Sequence, residues 1–423
     1  MKYIITSKVR TMYCENVFII GNIDNGGFIG LDREGIELYN HILNKHEINT
    51  SELNSNMKEL INAALELEIL SVDKDNKQND LDTSINTAYL HITNRCNLHC
   101  IGCYSLNEDR NKSQDLSLAQ IKIIIDRLRE MGVSKLNISG GEPFLRNDLP
   151  QIVYYAKDIG IEKIYIGTNG TCVDSHVLDD IKEYVDLILV AVDGFNLNNS
   201  QFIRDVGSYS KTIDAIKTMK EKGVNVSILP TIHRKNYMNI KDYLRLSSLL
   251  ETPISFSVLT CNPNIKPLNE YVLTDEEFSR MVINSYKTSK LEFNDIPGDL
   301  SDISYKESCG AGKHLISIDS LGNVYPCHML HYEEFYLGNV LIDTLPIILA
   351  TQKAVKFRQI TVDNFDECTS CTYKYFCGGG CKARRFLQRS NIYDLDYFCK
   401  GYLYNFKKIG ETLLSLNNDM ETN

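Results

Sequence analysis

The chain has 423 residues, enough for two or three hydrophobic cores at roughly 150 residues each. Its net charge of −10 provides no basic footprint of the kind that grips a phosphate backbone, which argues against nucleic acid as a partner. Met1 to Arg10 lack the apolar centre of a signal peptide and no stretch approaches the ~18 apolar residues of a membrane span, so a cytoplasmic protein away from any membrane is expected.

Residues 1–80 read as a small α/β unit. Val17 to Ile20 and Phe28 to Leu31 flank the turn Asp24-Asn25-Gly26-Gly27 as a hairpin. Ile36, Tyr39 and Leu43 then carry helical spacing, repeated by Met57, Leu60, Ile61, Ala64 and Leu65 in a second helix. The polar run from Asp73 to Asn86 is a linker candidate.

From Thr87 to about Lys290, short apolar strands alternate with amphipathic helices. The strands are Tyr89 to Ile92, Lys135 to Ser139, Lys163 to Thr168, Asp186 to Val192, Asn225 to Thr231 and Ile254 to Thr260. Capping boxes open the first and last helices, at Ser117 with Gln120 and at Thr274 with Glu277. Six βα repeats imply a parallel sheet, open or curled into a partial barrel, with the chemistry at the C-terminal strand ends.

Thirteen cysteines in a reducing compartment make a poor disulfide framework, and their clustering points to metal ligation. Cys96, Cys100 and Cys103 follow the first strand as C-x3-C-x2-C. Thiolates suit iron-sulfur clusters or zinc, and three ligands on a four-iron cubane leave one iron open for a substrate. A zinc site completed by His99 or His91 is the alternative, although zinc sites usually pair C-x2-C motifs. Further glycine-containing turns stand at strand ends: Gly140-Gly141-Glu142-Pro143 after the second, Thr168-Asn169-Gly170 after the third, and Asp193-Gly194 after the fourth.

This cysteine motif, followed by Tyr104 at the end of the first strand of a βα-repeat domain, resembles the radical S-adenosylmethionine (SAM) superfamily. The resemblance implies a partial (β/α)6 TIM-like barrel. It also implies that the open iron binds the amino and carboxylate groups of SAM, whose reductive cleavage yields a 5'-deoxyadenosyl radical. Tyr104, Gly140, Gly141, Glu142, Asn169, Asp193 and Arg204 are the positions it points to for cofactor contact, with Arg204 a candidate for the cofactor carboxylate. One departure stands at Ala191, where relatives often carry a ribose-contacting serine.

The last third adds Cys309, Cys327, Cys368, Cys371, Cys377, Cys381 and Cys399, with Gly322 opening G-x4-C inside a predicted hairpin. Seven cysteines in this order resemble the SPASM domain, which holds two auxiliary 4Fe-4S clusters. A zinc ribbon on Cys368, Cys371, Cys377 and Cys381 would leave the other three without a role. The resemblance implies that Cys368, Cys371, Cys377 and Cys399 close one cluster, while Cys309, Cys327 and Cys381 hold the other. Its fourth position falls to Cys261, to a non-cysteine group, or to a substrate thiolate at a vacant iron. Cys14 and Cys172 read as buried free thiols.

The resemblance divides the chain into a winged-helix-like peptide-recognition domain at 1–80, a radical SAM core at 81–295, a SPASM domain at 296–408 and a tail at 409–423. It implies an enzyme that modifies a ribosomal precursor peptide carrying a leader, forming a thioether or other crosslink. Flavodoxin or ferredoxin is the expected electron donor. A sulfatase or other protein-side-chain maturase is the alternative, disfavoured because His328 stands where sulfatase-maturing relatives carry an aspartate that serves as a base; histidine too accepts protons. From another class, a non-catalytic iron-sulfur electron carrier or a zinc-stabilised binding module would share the cysteines.

Overall fold

A computed structural model describes residues 3–45, 48, 53–72, 83–105, 110–198, 203–261, 268–288 and 303–408, apart from residues 15, 113 and 206. Much of the polar linker and the tail at 409–423 lies outside the described residues.

The N-terminal unit runs β1 (Tyr3–Ile5), β2 (Val9–Cys14), β3 (Val17–Asn22), β4 (Phe28–Leu31), α1 (Arg33–Lys45), α2 (Ser55–Glu66) and β5 (Leu70–Val72). The β3–β4 hairpin forms where expected, Gly26 taking a positive φ of 81° in its turn. It belongs to a three-stranded sheet of order β2-β3-β4, while β1 pairs antiparallel with β5. Sequence reading had overlooked β2, whose alternation is blurred by the polar Arg10 and Thr11. Leu38, Ile42, Ile61 and Ala64 close the core of this unit, whereas Leu43, expected among them, points outward at 50% exposure.

The central domain runs β6 (Thr87–Thr93), α3 (Leu118–Glu130), β7 (Lys135–Gly140), α4 (Leu149–Asp158), β8 (Lys163–Thr168), α5 (Ser175–Ile181), β9 (Leu187–Val190), α6 (Ser208–Glu221), β10 (Val226–Ile228), β11 (Thr231–Ile232), α7 (Ile240–Leu250), β12 (Ser257–Val258) and α8 (Asp275–Thr288). Strands β6 to β10 are parallel neighbours in chain order. Pro230 has no amide proton to give the ladder, so the expected fifth strand splits into β10 and β11. Pairing continues across the break through Ser255 N to Ile228 O, Ser257 N to Pro230 O and Leu259 N to Ile232 O, at 2.8–3.0 Å. The sixth strand therefore lies where its apolar run predicts. Both expected capping boxes form.

Side-chain alternation divides this sheet into two chemical faces. Leu90, Ile92, Leu136, Ile164, Ile166, Ile188 and Val190 are fully buried in the core shared with the helices. Tyr89, Asn137, Ser139, Tyr165, Gly167, Leu189 and Ala191 point the other way and line a cavity.

The sheet does not stop at β6. A hairpin of β13 (Leu315–Ile318) and β14 (Asn323–Tyr325) follows, then β15 (Gly338–Asn339), giving the eight-strand order β10-β9-β8-β7-β6-β13-β14-β15. Because β13 pairs parallel with β6, the cysteine-rich C-terminal region is hydrogen-bonded onto the barrel. Among the described residues no helix is long and apolar enough to cross a membrane.

Candidate active site

A cavity of about 520 Å³ opens at the C-terminal strand ends. Cys96, Cys100 and Cys103 form one side of it, joined by Tyr104, Gly140, Gly141, Asn169 and Arg204. The cysteine loop is anchored from outside: His99 N donates to both carboxylate oxygens of Asp205 at 3.0 and 3.1 Å, and Ile101 N to Ile203 O at 2.9 Å. Polar groups approach each sulfur, with Asn169 Nδ2 4.0 Å from Cys96, Arg204 Nη1 3.8 Å from Cys100 and Arg110 Nη2 3.7 Å from Cys103. Donors of this kind suit thiolates. Desolvation nevertheless raises the Cys96 thiol and pushes Cys100 up to about 11, so a metal must displace these protons.

Two glycines allow the neighbouring strand ends to close. A Cβ on Gly140 would sit 2.3 Å from Thr93 O, and one on Gly141 would sit 2.0 Å from Arg95 O. Gly141 N and Glu142 N donate to those same carbonyls at 2.8 Å. This segment can therefore bring bare backbone to the cavity wall beside the thiols.

Glu142 and Asp193, expected to touch the cofactor, stand behind the wall. Fully buried Glu142 accepts from Thr168 Oγ1 and Asn169 N, both at 2.8 Å, and from Phe144 N at 3.1 Å. Burial raises its pKa against these bonds. Asp193 accepts from Thr231 N at 2.8 Å and sits 2.7 Å from Arg204 Nε. Each carboxylate aims a residue that does line the cavity.

Seven of the ten remaining cysteines fall into two sets. Cys309, Cys327 and Cys381 all pack against one apolar cluster that includes Ala311, Tyr325 and Phe357. Cys377 lies within electrostatic reach of Cys368 and Cys399, and Cys399 within reach of Cys368 and Cys371. Burial pushes Cys377 up to about 12 and Cys399 up to about 11. Cys261 is buried with Ile203 and Leu259, with Cys100 packed against the same cluster. Cys14 and Cys172 are only partly buried.

Sequence reading missed Arg110, Ser139 and Tyr165. Strand alternation was the available signal for Ser139 and Tyr165, because the outward helix-facing set was legible and its complement faces the cavity. No spacing pointed to Arg110.

Three thiols at the mouth of a parallel α/β barrel, beside a cavity and followed by further thiols in the C-terminal region, have the donor chemistry of an iron-sulfur site at the strand ends. Residues 90–247 match the model of the radical SAM superfamily, and residues 309–372 match the SPASM iron-sulfur cluster-binding domain. The chain carries a radical SAM domain followed by a SPASM domain. The mycofactocin maturase of Mycolicibacterium smegmatis is 27% identical over 312 residues, 70% of this chain and 77% of that protein. The antilisterial bacteriocin subtilosin biosynthesis protein of Bacillus subtilis is 28% identical over 303 residues, 69% of this chain and 66% of that protein. An AdoMet-dependent heme synthase of Oleidesulfovibrio alaskensis is 26% identical over 324 residues, 70% of this chain and 82% of that protein.

Two solved structures share the fold. AdoMet-bound anSMEcpe superposes with a TM-score of 0.67 at 18% identity, covering 79% of this chain and 99% of its own. Streptococcus suis SuiB bound to S-adenosylmethionine gives 0.60 at 17% identity, covering 93% and 99%. The radical SAM and SPASM domains carry 4Fe-4S clusters with S-adenosylmethionine as the cofactor, and a total of three clusters fits the SPASM domain. The thiol sets and the side-chain-free Gly140-Gly141 segment fit these groups.

Proposed function

We propose that this enzyme modifies a ribosomal precursor peptide, drawing a hydrogen atom from it and closing a thioether or another crosslink. The names of two relatives, a maturase and a bacteriocin biosynthesis protein, support this reading. The observation that carries it is the N-terminal unit, whose sheet leaves β2 and β4 as edge strands, each paired only with β3 among the described residues. An edge of this kind adds an extended peptide through main-chain bonds, leaving the remainder of the peptide free to reach the barrel. Residues 1–80 would hold the leader, 81–295 the radical SAM core and 296–408 the auxiliary clusters.

Cys96, Cys100 and Cys103 would hold the cluster that supplies the electron for S-adenosylmethionine cleavage. The Gly140-Gly141 backbone, Asn169 and Arg204 would orient the cofactor, with Glu142 and Asp193 fixing the last two. Tyr104 shapes the wall, donating or accepting across 2.9 Å to Ser139. Cys368, Cys371, Cys377 and Cys399 would close the outer auxiliary cluster. Cys309, Cys327 and Cys381 would hold the inner one, leaving a position for a peptide thiolate. A cytoplasmic setting with flavodoxin or ferredoxin as donor suits so many free thiols.

Anaerobically reconstituted protein is expected to hold about twelve irons, to form 5'-deoxyadenosine on reduction, and to remove two hydrogen atoms from its peptide by mass spectrometry. Retention of 5'-deoxyadenosine formation after Cys96, Cys100 and Cys103 are replaced by alanine would falsify the enzymatic reading. A peptide that forms no adduct while S-adenosylmethionine is still cleaved counts against the peptide assignment alone.

A further inference from the structure

One wall of the cavity is built from rings that reach from one thiol set to another. Tyr104 follows Cys103 directly in the chain, and its ring meets that of His328 edge-on at 5.3 Å between centroids. His328 follows Cys327 directly, and its Nδ1 lies 3.9 Å from the Cys327 sulfur. Tyr89 stacks on His328 at 4.2 Å and 27°, so the imidazole contacts two phenol rings. From Cys103 to Cys327 the path is covalent except for one ring-to-ring contact.

A second row of rings lies behind the first. His91 approaches Tyr104 at 6.0 Å and His331 at 4.7 Å, and His331 stacks on Tyr325 at 4.5 Å. His91 is 4% exposed, and its Nε2 has no hydrogen-bond partner among the described residues. Burying an unpaired ring nitrogen is costly, and an aliphatic side chain would fill the same space without that cost.

We infer that the Tyr104–His328 contact is the route by which one electron passes between the cluster of Cys96, Cys100 and Cys103 and the inner auxiliary cluster of Cys309, Cys327 and Cys381. Electronic coupling falls off steeply across empty space and slowly through covalent bonds and packed rings, so the single ring contact governs the rate. In the step one cluster is oxidised by one electron and the other reduced by one. No bond forms or breaks, and no proton leaves either ring. The inference rests on the cluster assignments proposed above.

The test uses the fully loaded holoenzyme, reduced, freed of reductant and mixed with S-adenosylmethionine alone. In the wild-type protein, 5'-deoxyadenosine is expected to exceed one equivalent per chain, and the low-temperature EPR signal of the reduced auxiliary clusters should decay as the later equivalents appear. With His328→Leu the first equivalent should form at the usual rate, the later ones fall behind by an order of magnitude, and the auxiliary signal persist. His328→Phe, which restores the ring but no nitrogen, should recover both. If His328→Leu loads too little iron, His328→Gln opens the same contact and is read in the same way. Auxiliary signals that decay at the wild-type rate in a loaded Leu or Gln variant overturn the route. A Phe variant as slow as Leu also overturns it, assigning His328 to ligation instead. Absence of 5'-deoxyadenosine from wild-type protein sinks the functional reading and not the route in particular.

Discussion

Glu142 sits beside two glycines that line the cavity, yet its own carboxylate turns back into the protein. Three donors meet it, from Thr168, Asn169 and Phe144. Because a carboxylate only accepts, it satisfies all of them; an amide at this place would present its NH2 to donors. Glu142→Gln is therefore expected to cost about 1–3 kcal/mol in the Thr168-Asn169 turn. Expressed through Asn169, that becomes a loss in S-adenosylmethionine affinity of about tenfold to a hundredfold, measurable by equilibrium binding to the loaded protein. An unchanged dissociation constant would show that the turn is held by other means. The motif placed Glu142 beside the glycines, whereas the direction of its side chain was illegible, because it depends on a turn that lies 26 residues further along the chain.

At the scale of elements, the run Cys377-Gly378-Gly379-Gly380-Cys381 shows how a short loop spaces two thiols. All three glycines take positive φ, at 59°, 72° and 76°. A Cβ on Gly380 would lie 2.3 Å from Asp396 Oδ2. That carboxylate accepts from Cys381 N at 2.6 Å and pairs twice with Arg384 at 2.8 Å. Asp396 is 3% exposed, and three residues on stands Cys399. The loop of Cys377 and Cys381 and the segment of Cys399 thus meet on one buried ion pair. Removing one partner of such a pair costs about 3–5 kcal/mol, since it strands the other charge. Asp396→Asn is expected to lower the iron content from about twelve toward about four per chain, with 5'-deoxyadenosine formation by the first cluster retained. Iron assay and EPR of the variant decide this, and full loading would contradict it. The cysteine order made the two auxiliary sets legible, whereas Asp396 and Arg384 carried no motif.

On the scale of the whole molecule, the N-terminal unit is clasped to the cysteine-rich region. Tyr305 is fully buried, donates its backbone N–H to Gly26 O at 2.8 Å and its hydroxyl to Arg10 O at 3.2 Å. Gly21 lies under its ring, where a Cβ would come within 2.4 Å. Lys313 bridges Asp24 at 2.8 Å and Glu307 at 3.3 Å, two residues before Cys309. Losing a buried aromatic ring costs about 3–5 kcal/mol. Tyr305→Ala should therefore release the N-terminal unit as a separate, earlier unfolding transition in calorimetry and speed amide exchange in β3 and β4. A single transition at the wild-type temperature would show that the clasp is not needed. Arg10, Gly21 and Tyr305 are distant in sequence and follow no spacing rule, so their meeting was not readable from the chain.

The amino-acid sequence by itself determined the parallel barrel, the three groups of thiols and the class of chemistry, because strand period, helix caps and ligand spacing are local properties. Only the tertiary structure decided which polar residues face the cavity and which stand behind it. It also buried Cys261 with Ile203 and Leu259, split the fifth strand at Pro230 and joined β13 to β6. These outcomes depend on contacts between segments far apart in the chain, where the energy of packing and of satisfying buried polar groups outweighs any local preference.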